Sequence, residues 1–128
     1  MIKKRTIVNI TDNCGVVKAK IIHHIFGFHK KTSKPGHFNK VSVRKRRTDY
    51  AWIKSKKVKI PRKGKKLLSY FVRSKFRHTK QDGSHFSFLN NSSVILKKRL
   101  TIRGKYVKGP FIYGLRRKKI LGSFPGLL

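Results

Sequence analysis

The residues best suited to chemistry in this sequence are its cations. The chain of 128 residues has 35 lysines and arginines but only three acidic residues, Asp12, Asp49 and Asp82, and its formal net charge is +32. Lysine and arginine bind phosphate oxygens, and each contact releases a counterion from the polyanion. A charge this one-sided also opposes compaction of the free chain. The composition therefore predicts a permanent anionic partner, either nucleic acid or a membrane surface.

Most of the cations fall into runs, at residues 44–47, 54–57, 62–66, 73–80 and 116–119. A single run is usually a solvated face, but several runs with so few acids favour RNA contact. Six to ten phosphate contacts make affinity fall by roughly 10³ to 10⁵ between 50 and 200 mM salt. The candidate RNA-binding residues are Lys18, Lys20, Arg44, Lys45, Arg46, Arg47, Lys54, Lys56, Lys57, Arg62, Lys63, Lys65, Lys66, Arg73, Lys75, Arg77, Lys80 and Arg103.

Two aromatic residues, Tyr50 and Trp52, lie between basic runs. An aromatic ring in such a place can stack on an unpaired base or pack on a ribose. The same ring can equally cap the end of a barrel. Both interpretations remain open from the sequence.

The sequence has few residues that are suited to metal binding or to acid–base catalysis. Cysteine and histidine are zinc ligands, but the spacing of Cys14, His23, His24, His29 and His37 fits no familiar finger. His23 and His24 are neighbours on a predicted strand and so point to opposite faces. Asp12 and Asp82 lie in Asp-Asn and Asp-Gly turns, which give them structural roles, and glutamate is absent. We expect no metal, no cofactor and no enzymatic activity.

Short runs of β-branched and aromatic residues separated by turn signals predict a mainly β fold. We expect strands at residues 6–10, 16–26, 38–45, 67–73, 85–88 and 93–96, a tight turn at 12–15, a loop at 27–34 and a basic excursion at 50–66. After Gly109-Pro110, residues 111–121 have a short helix-like pattern. Several short antiparallel strands favour a small barrel. The predicted organisation is one domain, with a barrel over residues 1–108 and a short helix and tail over 109–128.

Three ordered blocks carry a more specific motif. The first runs from residue 67 to 95, with Asp82-Gly83, an aromatic at Phe88, then Asn91 and Val94-Ile95; the second is the strand and Asp-Asn-Cys-Gly turn of residues 8–15. The third comprises Arg103-Gly104 and Gly109-Pro110. Together these blocks resemble the family of the universal large-subunit ribosomal protein fourteen. Cys14 stands where serine is usual, Tyr106 stands where arginine is usual, and the family's acidic residues are missing from the C-terminal helix.

The resemblance implies a five-stranded OB-like barrel with a short C-terminal helical region, bound to large-subunit rRNA. It also implies a neighbouring large-subunit ribosomal protein, small-subunit rRNA at an intersubunit bridge and a ribosome-silencing factor as partners. By the same resemblance the candidate subunit-interface residues are Lys105, Tyr106, Arg116, Arg117 and Lys119.

Two rival classes remain, a free OB-like single-stranded nucleic-acid-binding protein and a cationic membrane-active protein. The second lacks a long amphipathic helix, so we expect no membrane partner. Abundant Lys, Ile, Phe and Asn with little Ala is typical of an AT-rich genome. With neither a secretory signal nor a transit peptide, this composition predicts a protein made inside a mitochondrion, with a bacterial or plastid ribosome as the alternative.

Overall fold

The computed structural model describes residues 1–25, 31–48 and 60–111. All regular elements in these ranges are strands, so the predicted mainly β class is confirmed. The predicted helix at 111–121 lies outside the described residues except for Phe111, as does most of the excursion at 50–66. The nine strands are β1 (Ile2–Lys3), β2 (Ile7–Ile10), β3 (Val16–His24), β4 (Thr32–Ser33), β5 (Phe38–Arg46), β6 (Lys66–Arg73), β7 (His78–Thr79), β8 (His85–Phe86) and β9 (Ser92–Leu96).

Five of these strands form a closed barrel in the order β2-β3-β5-β6-β9. Four of its pairings are antiparallel, and β9 closes the barrel by pairing with β2 in parallel, with Asn9 opposite Ser92. Closure removes the exposed strand edges that would otherwise pair with other chains. The five-stranded barrel agrees with the prediction, and the barrel strands start and end within two residues of the predicted bounds.

Period-two alternation explains the interior of the barrel. On β5, Val41 and Val43 are fully buried while Lys40 and Arg44 are exposed, as expected for a strand with one face in the core. Alternation fails on β6, because Tyr70, Phe71 and Val72 are all buried. Consecutive residues point to opposite faces, so both faces of β6 are covered.

The cover on the second face comes from residues 97–111, which wrap back over the barrel. Ile102, Val107 and Phe111 join Tyr70 and Val72 in one apolar cluster, separate from the cluster around Phe71. The core therefore extends past the predicted boundary at residue 108 at least to Phe111, the last described residue. The division of the chain into a barrel and an interface tail stays a prediction.

Two small sheets lie beside the barrel. β1 pairs with β4, so Thr32–Ser33 is a short strand where the sequence predicts a loop. β7 pairs with β8 and forms a hairpin within a segment predicted to be partly turn and partly strand. Two-residue strands are too short to carry a period-two pattern, which is why sequence periodicity does not reveal them.

Candidate nucleic-acid interface

The sheet register brings several predicted RNA-binding residues onto one surface. Lys18 on β3 is the register partner of Lys45 on β5, Lys20 is the partner of Ser42, and Val16 is the partner of Arg46. Lys18 and Lys45 are exposed, and Lys20 is half-buried. Lysines of β3 are thereby adjacent in space to the basic run at 44–47, which is distant from them in sequence.

A turn at residues 62–65 adds a further run to the same surface. The Lys65 N–H donates to Arg62 O at 3.2 Å, and Gly64 has a φ of +84°, which favours glycine. The Gly64 N–H donates to Val43 O at 2.9 Å and the Val43 N–H donates to Lys65 O at 3.1 Å, so the turn is tied to β5. We call the resulting surface the basic face; its members are Lys18, Lys20, Arg44, Lys45, Arg46, Arg47, Arg62, Lys63, Lys65 and Lys66.

One carboxylate lies beside a member of the basic face, because Asp12 and Arg47 line the same groove. Asp12 is buried, and Asp82 lies at the tip of the β7–β8 hairpin, where its Oδ1 accepts bonds from the Ser84 N–H at 2.9 Å and hydroxyl at 2.6 Å. These bonds hold the pKa of Asp82 below its usual value. Like charges directly opposite on neighbouring strands destabilise a sheet. The pairing of Lys18 with Lys45, which lies at an irregular point of the β3–β5 ladder, is therefore unfavourable in the free protein.

The remaining described RNA-binding candidates lie in three different environments. Lys75, Arg77 and Lys80 are exposed on the segment that contains β7. Arg103 is half-buried, and its backbone N–H donates to Ile95 O at 2.8 Å. Arg73 is only 9% exposed, which distinguishes it from the other candidates.

Arg73 has a structural contact with the C-terminal segment. Its Nη2 donates to Lys108 O at 3.1 Å, and burial lowers the pKa of its guanidinium. The guanidinium lies where a Cβ on Gly109 would project. This contact connects the end of β6 to the segment that covers it.

The predicted interface residues Lys105 and Tyr106 lie on an exposed loop whose position is set by Asn13. Asn13 Oδ1 accepts bonds from the Lys105 N–H at 2.6 Å and the Tyr106 N–H at 3.4 Å. A Cβ on Gly104 would be 2.9 Å from the Asn13 backbone nitrogen, so only glycine allows this close approach. Two of the sequence blocks therefore meet here, the turn at 12–15 and the Arg103-Gly104 element.

A groove of about 360 Å³ opens beside this loop. Its lining includes Asp12, Arg47, Arg73, Tyr106 and Lys108.

Burial raises the pKa of the Asp12 carboxyl. The Cys14 thiol and backbone N–H groups favour its charged form, although neither carboxylate oxygen has a hydrogen bond of standard geometry. Burial and then the Asp12 carboxylate raise the pKa of Cys14, so the thiol stays protonated.

The histidines that were considered as zinc ligands lie in different environments. His23 is exposed and His24 buried, which confirms that they point to opposite faces, and His24 Nδ1 lies 2.8 Å from Asn39 Oδ1. Within residues 1–25, 31–48 and 60–111, no three His, Cys, Asp or Glu side chains lie close enough to hold a metal ion. Across the same ranges no helix is long and apolar enough to span a membrane.

Several predicted residues lie outside the described residues: Lys54, Lys56, Lys57, Tyr50, Trp52, His29, Arg116, Arg117 and Lys119. The structure also brings together residues whose contacts the sequence does not predict. The turn pattern at 12–15 does not reveal that Asn13 holds the loop at Lys105 and Tyr106, and the strand predicted at 85–88 does not reveal that its rings form a row with Phe76 and His78. The i, i+2 spacing of Phe76 with His78, and of Phe86 with Phe88, was the available signal for the row.

The fold and the basic face define a class of protein, the small and strongly basic β-barrels, among which OB-type barrels bind nucleic acids. The chain belongs to the family described as Ribosomal protein L14p/L23e, whose sequence model matches residues 1–123. It is thus a structural constituent of the large ribosomal subunit and not an enzyme, as predicted.

Relatives match the chain over nearly its whole length. It is 39% identical over 126 residues to the large ribosomal subunit protein uL14m of Tetrahymena pyriformis, covering 98% of each chain. It is 31% identical over 121 residues to the large ribosomal subunit protein uL14 of Mesomycoplasma hyopneumoniae strains 7448 and J, covering 94% of this chain and 92% of theirs.

Proposed function

We propose that this protein binds large-subunit rRNA through the basic face. The observation that carries the proposal is the register pairing of Lys18 with Lys45, with the turn at 62–65 docked on the same strand. Like charges on paired strands, such as Lys18 and Lys45, destabilise the free protein, and phosphate groups bound between them remove that cost. The barrel thus positions RNA through phosphate and sugar contacts, with little reading of base sequence.

The exposed candidates on the hairpin, Lys75, Arg77 and Lys80, are proposed as further phosphate contacts. We assign Lys54, Lys56 and Lys57 to the same role because they belong to a basic run between two strands that form the basic face. Arg103, which is half-buried, is proposed as a further RNA contact. Arg73 acts differently, as a positioning residue that holds the C-terminal segment through Lys108 O.

The loop at Lys105 and Tyr106 is proposed to contribute to an intersubunit bridge with small-subunit rRNA. Both side chains are exposed, Tyr106 to 50%, and Asn13 holds the loop in place. Arg116, Arg117 and Lys119 would act with this loop as parts of an interface tail over residues 109–128. A neighbouring large-subunit protein and a ribosome-silencing factor are the proposed protein partners of this region.

We place the protein in the mitochondrial ribosome. The support is its 39% identity to uL14m of T. pyriformis, a mitochondrial ribosomal protein, together with a composition typical of an AT-rich genome. Detection of the endogenous protein in ribosomes from purified mitochondria tests this location. Its recovery only in ribosomes from another compartment would refute it.

Charge reversal on the basic face tests the rRNA-binding proposal. Lys18→Glu and Lys45→Glu should each weaken binding to large-subunit rRNA. They should also lower the slope of log affinity against log salt by about 0.7 to 0.9 per lost phosphate contact. Lys98→Glu, at an exposed lysine outside the basic face, makes the same change in net charge and serves as the control.

Two outcomes would contradict the proposal. If all three variants weaken binding equally, net charge alone explains the affinity and the basic face has no special role. If the wild-type protein does not co-sediment with large subunits at moderate salt, the rRNA-binding role itself fails.

A further inference from the structure

The β7–β8 hairpin carries four rings in a continuous row. Phe76 and His78 have centroids 5.7 Å apart at 70°, His78 and Phe86 have centroids 5.5 Å apart at 28°, and Phe86 and Phe88 have centroids 6.1 Å apart at 64°. The register places His78 directly opposite Phe86. We call these four residues the ring row.

The ring row is outside all three apolar clusters of the described residues and is partly open to solvent. Phe76 is 54% exposed, and the other three rings are half-buried. Core packing therefore does not account for the exposed ring of Phe76. A contiguous row of rings that is partly exposed can mark a binding site.

The hairpin is held firmly to the barrel at its base. The Phe88 N–H donates to Ser74 O at 3.0 Å, and the Phe76 N–H donates to Ser74 Oγ at 3.1 Å. The Lys75 N–H donates to Asn91 Oδ1 at 2.9 Å. The rings are thus supported on both strands, so a ligand that stacks on them does not have to order a free loop.

The surroundings of the ring row are cationic. The N-terminal ammonium group donates to Ser74 Oγ at 3.3 Å, and burial, this ammonium group and Lys34 lower the pKa of His78. Lys75, Arg77 and Lys80 are exposed on the same segment. The one carboxylate described on the hairpin, Asp82, is bonded to Ser84 at its tip.

We propose that the ring row is a stacking site for an unpaired nucleotide of RNA, with Phe76 as the contact ring and the neighbouring cations on the adjoining phosphates. This proposal rests on the proposed rRNA-binding function and adds to it a site that recognises single-stranded RNA. Aromatic rings beside a positively charged track are the arrangement by which proteins hold unpaired bases. An apolar protein partner would leave these cations unpaired, so the charge favours RNA.

The test uses the full-length protein and two RNA probes of about 12 nucleotides, a length within the range bound by one OB fold. One is a single strand substituted with 5-iodouridine, and the other is the corresponding unsubstituted duplex. Phe76→Leu removes the ring but keeps an apolar side chain, and it should weaken single-strand binding by about 5- to 150-fold. Duplex binding should change less than twofold.

Two variants serve as controls. Phe76→Tyr keeps the ring and should bind both probes like the wild type. Leu89→Ala removes an apolar side chain that is 96% exposed on the same segment but is not a ring, and it should also bind like the wild type. In the wild-type protein, irradiation should cross-link the iodouridine strand to the peptide that contains Phe76.

Three outcomes would contradict the stacking proposal, and each has a different meaning. If Phe76→Leu binds the single strand as tightly as the wild type does, the stacking site is refuted while duplex binding still supports the proposed function. If neither probe binds in a salt-dependent manner, the proposed function fails as well. If the variant binds RNA normally but loses a protein cross-link in purified large subunits, the ring row is a protein contact and the proposal is wrong.

Discussion

Arg73 and Gly109 are in direct contact, with the guanidinium of Arg73 in the space into which a side chain at residue 109 would project. Gly109 has a φ of +87°, and Arg73 Nη2 donates to the neighbouring Lys108 O. The two residues together join the end of β6 to the segment that covers it. The two residues are far apart in the sequence.

The first prediction is that Gly109→Ala destabilises the fold by about 1–2 kcal/mol from the left-handed backbone alone, with a further cost from displacing Arg73. In an Arg73→Ala background the second cost disappears. Urea unfolding of the two single variants and the double variant should therefore give a coupling of at least about 0.5 kcal/mol. Strictly additive effects would show that the contact has no energetic role.

The second prediction concerns the loop at Lys105 and Tyr106. Asn13→Ala removes the acceptor for two backbone N–H groups, each worth about 0.5–1.5 kcal/mol, so the loop should lose its fixed position. Asn13→Asp keeps an acceptor oxygen and should retain the loop. Gradient assays of subunit joining should show weaker joining for Asn13→Ala than for Asn13→Asp. Equal subunit joining by the two variants would show that the position of this loop has no role in the bridge.

The third prediction separates stability from binding on the basic face. Lys18→Glu places a carboxylate opposite Lys45, which should stabilise the free protein by about 0.2–1 kcal/mol at low salt. The gain should shrink as salt screens the pair. Thermal unfolding at two salt concentrations, with Lys98→Glu as the control, measures it. A loss of stability would show that Lys18 has favourable contacts in the free protein.

The fourth prediction follows from the raised pKa of Asp12, which is caused mainly by burial. The folded state prefers the neutral carboxyl, so this contribution to stability is fully present below the unfolded pKa of about 3.9 and is lost as pH rises through the higher folded value. Relative to Asp12→Asn, the wild type should therefore become less stable as pH rises from about 3 to 7. A difference that is constant with pH, or that grows in the wild type's favour, would contradict this sign.

The fifth prediction concerns Phe111 and the residues that follow it. Phe111 is fully buried, so Phe111→Ala should cost about 3–5 kcal/mol. A chain that ends after Phe111 should keep its fold and its rRNA binding but should weaken subunit joining. Unfolding curves and gradient assays of both variants test this division. A truncated chain that no longer binds rRNA would show that residues 112–128 belong to the RNA-binding part.

The barrel was predictable because its strands carry local signals. Val41 and Val43 alternate with polar neighbours on β5, and turn residues such as Asp12 and Gly15 separate β2 from β3. Burial of β6 on both faces was not predictable from those signals. It depends on residues 102–111 returning across the barrel, and no local pattern in β6 reports a partner that is about 30 residues away.

The sequence by itself determined the class of fold, the family and the excess of positive charge, because each follows from residue types and their order. Only the tertiary structure decided which charged residues lie next to one another and which are buried. Strand register placed Lys18 opposite Lys45, and the docked turn added the run at 62–66 to the same surface. Packing buried Arg73, which in sequence resembles its exposed neighbours Lys75 and Arg77. Composition gives the number of charged residues. Contacts between distant segments decide which of them are exposed to solvent and which lie next to one another.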